Sequence, residues 1–151
     1  MTDIVDKATR SRMMSGITSK DTKPELVLRR AMHAIGLRYR LHRKDLPGRP
    51  DIVMPRYKAV VFVHGCFWHR HEGCRLATTP ATRLEFWEEK FASNMDRDRK
   101  NVEQLLKGGW RAATVWECAL RKSGAPELAA RRIAVWLQAG TDRLDIGAVA
   151  A

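Results

Sequence analysis

One short segment, residues 50–74, constrains the fold of this chain more than any other. It reads P-D-I-V-M-P-R-Y-K-A-V-V-F-V-H-G-C-F-W-H-R-H-E-G-C. An acid stands before a short apolar stretch, a second apolar stretch follows, and residue types that bind metals close the segment. Two of the chain's three cysteines and three of its five histidines fall here. The pattern indicates two strands followed by a loop of potential metal ligands.

The cysteines and histidines have the composition of a zinc site. Cys66, His71 and Cys74 are spaced C-x4-H-x2-C, and the remaining cysteine, Cys118, lies far along the chain. Structural zinc is four-coordinate with thiolate and imidazole ligands, so three cysteines and one histidine would complete its shell. Spacing alone leaves His69 as an alternative to His71. The other interpretation is unrelated buried cysteines beside surface histidines, which is less common for a cytosolic Cys/His cluster.

The acid of the segment, Asp51, opens the predicted strand I-V-M, and a second predicted strand at 59–63 ends in His64. An acid at the edge of one strand and a polar residue at the end of its neighbour can converge on Mg²⁺, which prefers oxygen ligands and retains waters. The alternative is that Asp51 is only a turn residue of the G-R-P-D loop. Spacing does not separate these two interpretations.

Length and charge limit the class of protein. A chain of 151 residues is the size of one domain, and its net charge of +11 favours nucleic acid or another polyanion as partner. Residues 7–44 contain eleven Lys and Arg residues against two acids, which indicates a phosphate-binding surface. Residues 1–20 are interpreted as a basic N-terminal arm. No apolar run approaches the ~18 residues of a membrane helix, and the N-terminus lacks the apolar stretch of a signal peptide, so we expect a cytoplasmic protein without a membrane span.

The rest of the chain predicts alternating helices and strands. Thr22 and Glu25 have capping-box spacing before a helix that ends at Gly36, and residues 37–41 alternate as a half-buried strand. Thr82 and Glu85 repeat the capping box before a helix that ends at 108–109. A strand at 111–116 and a helix at 123–140 follow. The expected inward residues are Leu28, Ala31, Met32, Ile35, Phe86, Leu128, Ile133 and Leu137.

This order of elements predicts an α/β domain with a mixed sheet over residues 21–140. Residues 141–151 are treated as a tail without assigned structure.

Several segments together resemble the very short patch repair (Vsr) endonucleases. They are P-D at 50–51, V-F-V-H-G-C-F-W-H-R-H at 61–71, A-T-R-L-E-F-W at 81–87 and V-W-E-C at 115–118. The resemblance runs over residues 6–137. It implies a restriction-endonuclease-like fold of the PD-(D/E)XK type with a structural zinc. It also implies a Mg²⁺-dependent enzyme that nicks one strand of double-stranded DNA beside the T of a T:G mismatch left by deamination of 5-methylcytosine.

The resemblance suggests roles for individual residues. Asp51 would bind Mg²⁺ together with the backbone carbonyl of Val63, and His64 and Glu25 would order waters. We expect His69 to be the general base, because an imidazole pKa near 6.5 suits proton transfer at neutral pH.

Recognition residues are implied in the same way. Met14 would push into the DNA stack, and the adjacent Phe67 and Trp68 would form an intercalating wedge. Lys90 and Asn94 would contact the mismatched pair. A MutL-type repair partner, a monomeric state and association with the nucleoid are further expectations.

Two departures from the family pattern stand out. Val63 occupies a position where Thr is expected, and the H-E-G-C segment is one residue longer. Phe62 and His64 stand where restriction enzymes carry an acid and a lysine, a departure that the Vsr family shares. The alternatives are a nuclease of the same fold that acts on other DNA structures, and a zinc-stabilised DNA-binding module without catalysis.

Overall fold

Three α-helices and five β-strands form the part of the chain that the computed structural model describes, residues 21–147. The helices are α1 (Lys23–Ala34), α2 (Leu84–Lys107) and α3 (Ala125–Gln138); the strands are β1 (Arg40–Leu41), β2 (Ile52–Met54), β3 (Ala59–His64), β4 (Arg111–Trp116) and β5 (Arg143–Ile146). Short 3-10 helices lie at Pro55–Tyr57 and Glu117–Leu120. The predicted arm at 1–20, with Met14, lies outside the described residues.

The strands form one mixed sheet in the order β1-β2-β3-β4-β5. β1, β2 and β3 pair antiparallel, whereas β3, β4 and β5 pair parallel. The predicted mixed α/β layout is therefore confirmed. The register of β3 with β4 sets His64 beside Trp116, at the end of the sheet where both strands stop.

Both faces of the central strands are covered. Val61, Val115 and Ile133 belong to the core between the sheet, α1 and α3. Val60 and Leu105 belong to a second core between the sheet and α2. Strands buried on both faces read as continuous apolar runs, which is why the A-V-V-F-V sequence of β3 does not alternate.

Three of the expected core residues are exposed. Ile35 is 43% exposed because α1 ends at Ala34, one residue before it. Leu128 is 62% exposed, since the buried stripe of α3 runs through Ala129, Ala130, Ile133, Trp136 and Leu137. Phe86 is 46% exposed, since the inward face of α2 passes through Trp87 and Phe91 instead.

The two predicted capping boxes have different outcomes. At α1, the side chain of Thr22 accepts a hydrogen bond from the N–H of Glu25 at 3.4 Å, as expected. At α2 the prediction is wrong, because the N-cap is Arg83, in left-handed conformation and without a side-chain cap. The strand expected at 37–41 is reduced to β1.

The predicted tail contributes a strand. β5 pairs in parallel with β4, and Ile146 is buried against the core. The segment R-L-D-I is short, and its pairing depends on a distant strand, so local sequence gives little indication of it. Across residues 21–147 no helix combines the length and apolar character needed to span a membrane.

Candidate active site and cysteine–histidine cluster

Asp51 lies buried immediately before β2. It is 8% exposed, and its Oδ2 accepts a hydrogen bond from the backbone N–H of Val63 at 2.8 Å. The antiparallel pairing of β2 with β3 brings the two residues together, as the spacing of the two predicted strands suggests. Asp51 is thus fixed by the sheet, although the loop that precedes it also makes a turn.

Glu25, in the first turn of α1, is buried on the same side and only 1% exposed. Its Oε2 lies 2.7 Å from a guanidinium nitrogen of Arg29 and 3.2 Å from Nε2 of His42. The same two residues contact the carboxylate of Asp21. Arg29, His42 and Asp21 were not singled out in the sequence, because their convergence depends on how α1 packs against the segment after β1.

The two buried acids influence each other. Burial, followed by the nearby charge of Glu25, raises the pKa of Asp51 to about 8. A buried carboxylate in this setting holds a proton at neutral pH unless a cation takes its place. The pair is therefore suited to bind a positive ion.

His64 ends β3 and is 8% exposed. Burial, together with the charge of His69, lowers the pKa of His64 to about 3, so its imidazole is neutral at physiological pH. The His64 and His69 rings stack at a centroid distance of 3.9 Å. Among residues 21–147, Nδ1 of His64 has no hydrogen-bond partner.

His69 is paired with a residue that the sequence analysis missed. Its Nδ1 lies 2.5 Å from Oδ2 of Asp98, on α2. A carboxylate at Nδ1 orients an imidazole and leaves Nε2 available. Asp98 lies one helical turn after Asn94, a predicted DNA contact, and this i, i+4 spacing could have indicated it.

The structure brings the predicted zinc ligands together. Potential ligand atoms of Cys66, His71, Cys74 and Cys118 all lie within 4.8 Å of one another. Nδ1 of His71 is 3.7 Å from the Cys66 sulfur and 3.4 Å from the Cys118 sulfur. His71 rather than His69 therefore faces the cysteines. Burial raises the pKa of the Cys66 thiol to about 12, a cost that a bound cation would offset.

The expected wedge residues Phe67 and Trp68 are half-buried, not fully exposed. Their rings meet edge-to-face at 5.1 Å, and the Phe67 ring packs against Trp87 and Phe91 of α2 at 5.6 and 5.2 Å. Trp87 was missed because Phe86 was taken as the inward residue. The aromatic loop thus rests on α2, with one side still open to solvent.

The expected mismatch contacts differ in exposure. Lys90 is exposed on α2 and can reach a ligand. Asn94 is 9% exposed, and its Nδ2 donates to the carbonyl of Trp68 at 3.1 Å. Asn94 therefore supports the aromatic loop, whatever further role it has.

Taken together, the site contains a buried acid pair next to two stacked imidazoles, one of them paired with a carboxylate. Such a set can bind a hard divalent cation and transfer a proton. It defines the class of metal-assisted hydrolases.

Comparison with known proteins narrows this class to one family. The family model of the DNA mismatch endonuclease Vsr matches residues 2–75. The chain is 50% identical over 121 residues to the DNA mismatch endonuclease Vsr of Escherichia coli strain K12, covering 80% of this chain and 77% of that protein. It is 48% identical over 133 residues to the type II nicking enzyme V.XorIIP of Xanthomonas oryzae pv. oryzae, covering 88% and 97%. A type II nicking enzyme of Neisseria meningitidis, V.NmeAIP, is 46% identical over 121 residues, covering 80% and 86%. The chain belongs to the Vsr endonuclease family.

The acid pair predicts an unusual pH dependence of stability. Because the folded-state pKa of Asp51 is raised to about 8 from 3.8, the folded protein binds more protons than the unfolded chain between these values. Without added Mg²⁺, stability should therefore fall as pH rises through that window, by up to about 1.4 kcal/mol per pH unit from this group. Denaturant titrations at several pH values, in buffers of the same metal content, measure the slope.

The Asp51→Asn variant should show a flatter dependence, since it has no proton to lose. Asp142→Asn removes an exposed carboxylate and should keep the wild-type slope. Equal slopes for Asp51→Asn and wild type would show that Asp51 is ionised throughout.

Proposed function

We propose that this protein is a Mg²⁺-dependent endonuclease that nicks one strand of double-stranded DNA beside the T of a T:G mismatch. The observation that carries the proposal is the buried pair of Asp51 and Glu25 beside the stacked His64 and His69, in a chain of the Vsr family. The names of its relatives, mismatch endonuclease and nicking enzyme, describe the same reaction class. The mixed sheet with helices on both faces would then be a version of the restriction-endonuclease-like fold.

The residues around Asp51 fit a magnesium ion. Buried Asp51 supplies a hard carboxylate oxygen of the kind that Mg²⁺ prefers, and its pKa is raised by burial, a cost that a bound cation would offset. The backbone carbonyl of Val63 is our second donor, and valine in place of threonine leaves a backbone ligand intact. When bound, Mg²⁺ stabilises charge developing on the scissile phosphate and acidifies water.

The histidines move and orient protons. Asp98 fixes the His69 ring through Nδ1, which leaves Nε2 to accept a proton from the attacking water. His64 is buried and neutral, so in our proposal it orders water without adding positive charge. Glu25, held by Arg29 and His42, is the second acceptor for ordered water.

We further propose a structural zinc at Cys66, His71, Cys74 and Cys118. Three thiols and one imidazole within 4.8 Å match the soft donor set and the number of ligands in closed zinc sites. The extra residue in the His71–Cys74 loop is accommodated, since the backbone N–H of Cys74 still donates to the His71 carbonyl at 3.3 Å.

DNA recognition would combine general affinity for the phosphate backbone with discrimination of the mismatch. Exposed basic residues such as Arg30, Arg40 and Lys44 supply general affinity for phosphates. Phe67 and Trp68 would supply mismatch discrimination by inserting between bases at the mispaired step, which is easier to unstack. Lys90 would contact the mismatched pair, and Met14, which lies outside the described residues, is a further candidate for insertion. A MutL-type partner and a monomeric state stay predictions.

The proposed chemistry is tested by Asp51→Ala on a T:G duplex. The variant should lose at least about 100-fold in nicking rate, because it removes a metal ligand, while its affinity for the duplex stays equal or rises. Single-turnover nicking and equilibrium binding measure the two quantities separately. Asp142→Ala, which removes an exposed carboxylate, is the control and should nick at the wild-type rate. Wild-type nicking by Asp51→Ala would show that Asp51 is only a turn residue.

The aromatic wedge is tested by the double change Phe67→Ala, Trp68→Ala. It should reduce the preference for T:G over T:A by about tenfold or more, since each lost stacking contact is worth ~1–3 kcal/mol. Binding curves for both duplexes at several salt concentrations measure the effect, and circular dichroism monitors the loop's packing on α2. Met14→Ala should reduce the preference for T:G over T:A by a smaller factor.

Arg40→Ala is the comparison variant, because its exposed guanidinium should contact phosphate only. It should weaken binding to the T:G and T:A duplexes alike and reduce the salt dependence of that binding. A folded double mutant that prefers T:G as strongly as wild type would rule out the aromatic pair as the mismatch sensor.

A further inference from the structure

The ring of His71 has close neighbours besides the cysteines. Its face stacks on the indole of Trp116 at a centroid distance of 4.3 Å and an interplanar angle of 8°. Nδ1 at one edge of the ring points to the sulfurs of Cys66 and Cys118. The indole therefore fixes the plane in which the imidazole can present Nδ1 to a metal.

Trp116 is in turn held by the last strand. Its Nε1–H donates to both carboxylate oxygens of Asp145, each at 3.1 Å. The parallel register of β4 with β5 pairs Thr114 with Asp145, and side chains two residues apart share a face of the sheet. Strand pairing thus places the carboxylate beside the indole.

Gly147 lies against the edge of the His71 ring that carries Cε1 and Nε2. A Cβ atom added at Gly147 would lie 2.9 Å from both Cε1 and Nε2 of His71, closer than real contacts allow. The φ angle of Gly147 is outside the left-handed region, so glycine is needed here for close approach and not for a turn. Gly147, the residue after β5, therefore packs directly against the imidazole edge.

We infer that Trp116, Asp145 and Gly147 are positioning residues for the metal ligand His71. Metal-bound histidines normally require partners that fix the ring, and loss of such partners weakens metal binding. Here the partners are a stacked indole, the carboxylate that orients it, and a backbone approach from the C-terminal strand. The inference rests on the proposed zinc site, and it adds β5 to the elements on which that site depends.

The first experiment measures zinc affinity by competition with a chelator of known affinity, on the full chain. Gly147→Ala and Asp145→Ala should each weaken zinc binding by about 10–100-fold, the range typical of lost supporting contacts. The matched controls are Gly140→Ala, which would meet no atom within 4 Å, and Asp142→Ala, an exposed carboxylate before the same strand. Both controls should bind zinc as wild type does.

Further variants separate the hydrogen bond from the stack. Asp145→Asn keeps an oxygen that can accept from the indole N–H, so it should stay near wild type. Trp116→Phe keeps an aromatic face and loses the donor, so it should weaken zinc binding as Asp145→Ala does. The double variant Trp116→Phe, Asp145→Ala should bind zinc about as weakly as either single variant, because both changes remove the same hydrogen bond.

A spectroscopic measurement distinguishes positioning from general destabilisation. With Co²⁺ in place of zinc, the visible absorption bands report the geometry of the ligands. Gly147→Ala should shift these bands because it displaces the His71 ring. Ile133→Val weakens the core on α3 and leaves Trp116, Asp145 and Gly147 in place, so it should lower stability and leave the bands unchanged.

The outcomes are distinguishable. If wild type binds zinc and both Gly147→Ala and Asp145→Ala match their controls in affinity and spectrum, the inference is wrong while the zinc site stands. If Gly147→Ala weakens zinc binding but leaves the cobalt bands unchanged, as Ile133→Val should leave them, its effect is general destabilisation and the inference again fails. If wild type itself binds no zinc, the proposed zinc site fails and the inference fails with it.

Discussion

The convergence of three cysteines and one histidine joins the loop at 65–74 to the end of β4, and the rest of the site depends on this junction. The loop contains no regular strand or α-helix, yet it carries His69 and the aromatic pair. Its position is set by Cys66 and His71 on one side and by Cys118, just beyond β4, on the other. A structural zinc contributes ~10–16 kcal/mol in small domains, as much as the ~5–15 kcal/mol that stabilises a whole domain.

Burial favours the uncharged form of two groups in the candidate active site: it raises the pKa of Asp51 and lowers the pKa of His64. Asp51 and Glu25 share a buried region where two negative charges are unfavourable, which favours a bound cation. At the end of the neighbouring strand β3, burial keeps His64 neutral while Asp98 orients His69. Perturbed pKa values are common at catalytic sites. The sheet supplies the rigidity, because β2 and β3 hold Asp51 and His64 through their pairing.

Features encoded in short segments could be predicted from the sequence. Residues 111–116 and 59–63 were predictable strands because their apolar runs are bounded by glycine or charged residues, and the Cys/His cluster followed from its spacing. Features that depend on packing between distant segments were not predictable. The strand β5 and the supports from Asp145 and Gly147 arise from pairing with β4. Trp87 faces inward where Phe86 was expected. A shift of one residue along the helix is therefore enough to change which aromatic ring is buried.

Zinc content and cooperative unfolding of Cys118→Ala test the central claim most directly, because this change removes the ligand that joins the loop to β4. We expect wild type to contain one zinc ion per chain by elemental analysis and to unfold in a single cooperative transition. The variant should lose the metal and show no cooperative transition, since the ~10–16 kcal/mol at stake is comparable to the ~5–15 kcal/mol that stabilises a whole domain. A soluble Cys118→Ala protein that unfolds cooperatively without zinc would contradict the account.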